Sequence, residues 1–377
     1  MTVTIYYGPL SWFAESMASK NSKSLLEIAY ELDEASRVVK VIQQEPGDVD
    51  EVDLPKRNRP GHVAAETSDY ASLNEHTISN FVGWIRLVNP KHLHLHNPPV
   101  HVHEQLRRSF STQVKHYEYP VITRKTLIDF RDRFDGHLVG QEGVKESLLA
   151  AVYPLTRPER DKPVVLMFYG PSGVGKTESA QFVNGLLGGA LLRKQFSMFH
   201  SDQFASYLFG GKHSEPSFAH DLLDRESGII LIDEFDKANP IFHSAFYQLF
   251  DSGVFEDKNY SVTLGSSLVI CTSNYNSESD IQKELGDALY SRFDAVIRFN
   301  QLTVEEIRQV IDRLVSARVG ELADDERENI DANSVRDLLY RYAENGNGNV
   351  RKLGKTVDEV ISLLLVRSML DEHDGST

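Results

Sequence analysis

The chain has 377 residues, 41% of them hydrophobic and 25% charged, the balance of a folded globular protein with room for two or three packed domains. A formal charge of −15 argues against non-specific binding along a nucleic-acid backbone, which needs a positive surface. No run of about 18 consecutive apolar residues occurs, so no membrane-spanning helix is expected.

A single cysteine, Cys271, leaves no partner for an intramolecular disulfide and suits a reducing compartment. The start MTVTIYYGPL lacks the basic-then-apolar pattern of a secretory signal, so a cytoplasmic protein is expected.

Residues 1–120 alternate between strand-like and helix-like stretches, which predicts a small α/β domain around a parallel sheet. Thr2–Tyr7 is short and β-rich, Ser24–Leu32 carries Leu25, Leu26, Ala29 and Leu32 at helical spacing, and Arg37–Ile42 is rich in valine and isoleucine. From Glu45 to about Asp69, the acids of EPGDVDEVD and then Lys56, Arg57 and Arg59 predict a polar, partly disordered surface loop. Ser72-x-x-Glu75 has the form of a capping box for a helix carrying Leu73, Ile78, Phe81, Val82 and Ile85. His92–His96 alternates like a strand, Asn97-Pro98-Pro99 can start a helix, and Val114–Tyr119 reads as a further strand.

His92, His94, His96, His101 and His103 crowd into a dozen residues. Metal binding is one reading, since neutral imidazole is a ready Zn²⁺ ligand. The favoured one is a half-buried strand with Leu93 and Leu95 inward and the imidazoles outward, because no cysteine or well-spaced carboxylate completes a site.

After about residue 120 the pattern changes. Helix-like TRKTLIDFRDRF and LVGQEGVKESLLAAVY precede an apolar run, Val164–Tyr169, that leads into Gly170-Pro171-Ser172-Gly173-Val174-Gly175-Lys176-Thr177. This is the full spacing of a phosphate-binding loop. Its glycines let successive N–H groups face phosphates, Lys176 can reach the β- and γ-phosphates, Thr177 can offer its hydroxyl to Mg²⁺, and the next helix points its positive end at the anion. ATP and Mg²⁺ are the cofactors this pattern implies.

Gly228–Ile232 ends in Asp233-Glu234, which suits a central strand whose carboxyl end meets the ligand. Asp233 can hold the Mg²⁺ shell and Glu234 can orient and deprotonate a water. A third buried strand, Ser267–Thr272, ends beside Asn274, whose amide can contact the γ-phosphate, although a lone asparagine there also reads as a turn former. Arg292 and Arg351 can each neutralise phosphoryl charge; taken singly, each reads better as a surface salt bridge. Past Phe299 the sequence is helical almost to its end, with Thr303-x-x-Glu306 as a cap and ELADDEREN as an acidic turn.

From about Val139 to Leu370 the chain resembles AAA+ ATPases of the Clp type, and most of all the second ATPase module of Clp disaggregases, with torsins as relatives. The resemblance rests on LVGQEGV, the phosphate loop, LIDEFDKANP, FYQLFDSGVFED, CTSN, SRFDAVIRF and NVRKLGKTV. It implies a P-loop core with a parallel sheet over residues 121–300 and a helical lid over 301–377. It further implies that Asn274 is the first sensor, Arg292 a finger acting on a neighbouring subunit, and Arg351 the second sensor. The family's usual Gly-Ala before that arginine is Asn349-Val350 here. The family's aromatic pore loop has no Gly-Tyr-Val-Gly counterpart in SYLFGGKHSEPSFAHDLL, where Phe218 is the candidate substitute or else packs beneath the loop.

The expected function is Mg²⁺-dependent ATP hydrolysis by a homo-oligomer, ring or spiral, coupled to remodelling of a protein client or adaptor reached through the N-terminal domain. A nucleotide-controlled switch or scaffold with low turnover is the alternative, favoured by the missing aromatic grip. A nucleic-acid motor is a weaker third reading, disfavoured by the net charge.

Overall fold

Thr2–Tyr7 (β1), Ser22–Ser24 (β2), His62–Ala65 (β3), His92–His96 (β4) and Thr112–His116 (β5) pair side by side in the order β2-β3-β4-β1-β5. Every pairing is parallel. The computed structural model describes residues 1–31, 34, 59–198, 201–213, 215–344 and 349–374. The strand expected at Arg37–Ile42 and the acidic and basic stretches between Glu45 and Arg57 lie outside the described residues.

The N-terminal sheet corrects several expectations. Part of the segment read as surface loop is strand β3, followed by a helix at Thr67–Ser72. Ser72 ends that helix rather than capping the next; Asn74 accepts from Thr77 N–H and caps Glu75–Ser79, and Asn80 accepts from Gly83 N–H and caps Phe81–Val88. An asparagine amide competes well for free N–H groups at a helix start, so two short helices replace one long one. The last strand begins at Thr112, two residues before the expected Val114, and ends at His116.

β4 lies between β3 and β1, and both its faces are covered. Leu93 and Leu95 are fully buried, and His94 and His96 are buried too, which corrects the outward-facing imidazoles at those two positions; His92 is half-buried. Burial lowers both rings to a pKa of about 4, so they are neutral at physiological pH. His94 pairs with His62 at 3.0 Å, and His96 meets the Gly8 carbonyl at 2.7 Å. Among the described residues no three ligating side chains converge as a metal site would require.

The second sheet contains Val164–Tyr169 (β6), Leu192–Gln195 (β7), Ile229–Asp233 (β8), Leu268–Thr272 and Ala295–Arg298. Between β8 and Leu268 a two-stranded hairpin intervenes, Val254–Glu256 (β9) and Ser261–Thr263 (β10), so the last two strands are β11 and β12. The order β12-β6-β11-β8-β7 is parallel throughout. Alternation explains its burial: Val164, Leu166 and Phe168 enter one core with Ile229, Leu231, Leu268 and Ile270, while Val165, Met167, Ile230, Ile232 and Val269 enter the other.

That second core is built on phenylalanine. Phe246 is fully buried, with the rings of Phe196, Phe235 and Phe250 between 5.3 and 5.7 Å away. Phe218 belongs to the same cluster and has no exposed surface, so it packs beneath its loop. Three helices, Val304–Glu321, Ala332–Glu344 and Val350–Asp374, pack through Ile307, Ile311, Val335, Leu339, Leu353 and Val357. Thr303 and Glu306 form the capping box expected of them, and the acidic turn holds a short helix, Asp324–Glu328.

Truncating Phe246 to alanine removes a ring that fills the space beneath β8. Phe246→Ala should cost about 3–5 kcal/mol, read as a lower midpoint in urea denaturation, whereas an unchanged midpoint would contradict this packing.

Candidate active site

The carboxyl ends of β6, β8 and β11 meet at one edge of the second sheet. β6 runs into Gly170, where a φ of 135° and the Phe299 carbonyl oxygen, which an added Cβ would strike, leave no room for a side chain. Gly173 has a φ of 80°, and an added Cβ there would collide with Asn349 at 2.5 Å. The loop therefore closes tightly enough to deliver Gly175 as the start of the helix Lys176–Leu187.

Lys176 is 8% exposed. Its ammonium donates to the carbonyls of Gly170 and Pro171 at 2.7 Å each, and to Asn274 Oδ1 at 3.1 Å. Burial pulls its pKa down to about 8; Asp236 and Asp233 pull it back up, and the charge of Arg351 pushes it down further. An anion arriving in this loop would find a cation that is desolvated and hydrogen-bonded only to neutral oxygens.

Asp233 is the buried end of β8. Thr272 donates to Oδ1, while Oδ2 accepts from Arg193 Nε at 3.0 Å and from the Thr177 hydroxyl at 3.5 Å. Glu234 follows in a left-handed conformation, φ 55° and ψ 45°, a costly setting for a non-glycine residue and one that recurs at working sites. Its N–H donates to Thr272 Oγ1 and its carboxylate accepts from Gln195 Nε2 at 3.0 Å. The turn at Glu234 points the two adjacent carboxylates to different partners.

Lys176, Thr177, Asp233 and Asn274 thus stand in one cluster, with Glu234 alongside. Arg351 is exposed at the start of the last helix, near enough to act on the charge of Lys176. Asn349, two residues earlier, donates to the Ser172 carbonyl at 3.0 Å and ties the lid to the loop. Arg292 is not in the cluster. It donates to Asp251 at 2.9 Å and lies 4.6 Å over the Tyr247 ring.

Sequence reasoning missed Arg193, Gln195, Thr272 and Asn349 as parts of this site. Arg193 and Gln195 come from LRKQ, an edge strand without an apolar pattern, and only the register Gln195↔Asp233 reveals them. Gln141, in the LVGQEGV stretch, is 3% exposed and bridges the Asn300 and Val174 carbonyls, locking that stretch to the back of the loop.

Comparison with known proteins finds similarity over the part of the chain that carries this site. The family profile described as AAA domain (Cdc48 subfamily) matches residues 161–318. The ATP-binding subunit ClpC of the ATP-dependent Clp protease from Staphylococcus aureus (strain USA300) is 24% identical over 300 residues, covering 66% of this chain and 37% of that protein. A ClpA homolog protein from Fuscovulum blasticum is 27% identical over 279 residues, covering 65% and 35% respectively. The chain thus spans little more than a third of the length of these relatives.

Among solved structures, the S. cerevisiae Hsp104–ADP complex matches with a TM-score of 0.53 and 21% identity, covering 66% of this chain and 49% of that one. A closed-state reconstruction of Hsp104 with ATPγS and FITC casein matches at 0.56 and 14% identity over 98% of this chain and 89% of that one. These likenesses speak to the fold alone. Over residues 161–318 the chain matches an AAA domain, and with its parallel sheet and phosphate loop it is similar to the Clp-type AAA+ ATPases.

Proposed function

We propose that the protein hydrolyses ATP with Mg²⁺ and, as an AAA+ oligomer, couples that hydrolysis to remodelling of a protein partner. The observation that carries this reading is the hydrogen-bonded cluster of Lys176, Thr177, Asp233 and Asn274, with the strained Glu234 beside it.

In this reading Gly170 to Thr177 cradle the phosphates and Lys176 leaves its carbonyl partners to hold them. The Thr177 hydroxyl and the Asp233 carboxylate share a hydrogen bond, and an oxygen-only pair of this kind fits Mg²⁺, which takes few protein ligands and keeps several waters. The ion, when bound, would neutralise charge on the phosphates. Glu234 takes the proton of the attacking water as its oxygen bonds to the γ-phosphorus and the bond to ADP breaks, and Asn274 orients the γ-phosphate. Arg292, held by Asp251 and Tyr247 away from its own loop, is suited to a neighbouring subunit's phosphates. Residues 121–300 and 301–377 act as core and lid, Arg351 closes with the lid, and residues 1–120 present the partner.

A switch with low turnover is the second reading. Burial of Phe218 favours it, because the only aromatic expected to replace the pore-loop ring is packed inside. Steady-state turnover with and without protein partners, beside oligomer mass with and without ATP, separates the two.

Glu234→Gln should retain nucleotide binding while lowering turnover by about 10²-fold or more; turnover equal to the unmodified protein would remove Glu234 as the base.

Lys176 binds phosphate as an ammonium. Nucleotide affinity should be level below about pH 8 and then fall by up to about tenfold per pH unit, with proton uptake on binding. Stability of the nucleotide-free chain should move the other way. Between pH 8 and the ordinary lysine value of 10.5 the unfolded chain binds the extra proton, so this group's cost to stability is relieved as pH rises. Calorimetric titration of nucleotide across this range, in buffers of different ionisation enthalpy, checks the first sign, and the urea midpoint of the nucleotide-free chain against pH checks the second; an affinity level through about pH 9 would contradict the assignment.

A further inference from the structure

A cleft of about 410 Å³ lies where the N-terminal sheet meets the ATPase core, a volume within the range of small-molecule sites. Its floor is the carboxyl ends of β1 and β5, at Tyr7 and His116, with the helix Val100–Ser109 on one side. The chain leaves β1 for β2 at one edge of the sheet and leaves β4 for β5 at the other. The strand order thus reverses between β1 and β5, with β2, β3 and β4 on one side of β1 and β5 on the other, and such a reversal marks the usual place for a ligand at the carboxyl ends of a parallel sheet. The roof is strand β10 and Arg225 of the core.

Arg225 sets the chemistry. It is 3% exposed, and two of its nitrogens donate to the carbonyls of Leu222 and Leu264, while Nε has no partner among the described residues. No carboxylate is seen paired with it among the described residues; its guanidinium lies 3.9 Å over the Tyr119 ring. A buried guanidinium is ordinarily neutralised by an acid. Arg107 and His103 line the same cleft from the helix, and His103 Nδ1 is fixed by the Tyr7 hydroxyl at 2.7 Å. The one acid on the lining, Glu104, is engaged by Arg108 at 3.1 Å. The cleft therefore combines an unneutralised guanidinium, a second one at its mouth and tyrosine rings on its walls.

We infer that this cleft binds a small organic phosphate, with the phosphate held by Arg225 and Arg107 and a planar group stacked on the tyrosines. Guanidinium groups match phosphate oxygens in pairs, and aromatic walls accept any planar ring. The inference stands apart from ATP hydrolysis, since none of these residues belongs to the loop at Gly170–Thr177. Such a ligand would touch both the N-terminal sheet and the core, which already meet through Leu10 N–H to Asp224 at 2.8 Å and Val100 N–H to the Asn259 carbonyl at 2.8 Å.

The test uses the full chain carrying Lys176→Ala, so that the phosphate loop does not answer for the cleft, titrated calorimetrically with phenyl phosphate and with inorganic phosphate. Saturable binding of phenyl phosphate is expected, at least about tenfold tighter than inorganic phosphate because the ring adds stacking. Adding Arg107→Ala, an exposed position that should not disturb folding, should weaken it about tenfold, a loss of the size expected for one charge-assisted contact. His103→Gln in the same background gives a second reading, with a smaller loss expected. No saturable binding of phenyl phosphate, or an affinity unmoved by both substitutions, would overturn the assignment.

Discussion

The carboxylate of Asp233 sits at the end of a strand covered on both faces, and three side chains converge on it: Thr177, Arg193 and Thr272. An ionised carboxylate can be kept in such a place only with partners on its oxygens. Those partners come from three different segments: the helix after the phosphate loop, edge strand β7 and central strand β11. Satisfying one buried charge thus fixes the relative positions of β7, β8, β11 and the loop. The parallel register does the rest, pairing Ile232 with Cys271 and Gln195 with Asp233, which brings the amide of Gln195 within reach of Glu234.

This arrangement also explains why the site is poised. Lys176 rests on two loop carbonyls and Asn274, contacts that a phosphate can replace, and burial has already brought its pKa down to about 8. Glu234 is held in the left-handed region while the phenylalanine core anchors its neighbour Phe235 beneath. The strain sits on the residue whose carboxylate must leave the line of the strand, and the packing under it makes that strain sustainable.

Much of this was legible in the sequence because it is local. The phosphate loop, the buried strand before Asp233-Glu234 and the Thr303/Glu306 cap are each written within a few neighbouring residues. Arg193, Gln195 and Thr272 were not legible, since their roles come from strand pairing across about 40 residues. Strand β3 was hidden for another reason: four residues, HVAA, after a long polar stretch carry too little pattern to stand out. The imidazoles of β4 were placed outward because alternation predicts one wet face; a central parallel strand has none. Asn349 was hidden likewise, because its hydrogen bond to the Ser172 carbonyl joins segments far apart in the sequence.

We propose that hydrolysis is completed between subunits, with Glu234 and Arg292 serving a given phosphate from different chains. Mixing Arg292→Ala protein with Glu234→Gln protein tests it directly, because each variant alone lacks one half of every site. The account predicts that ATP turnover reappears in the mixture, where intact Glu234 of one chain meets intact Arg292 of the next. A mixture as inactive as its components would contradict it.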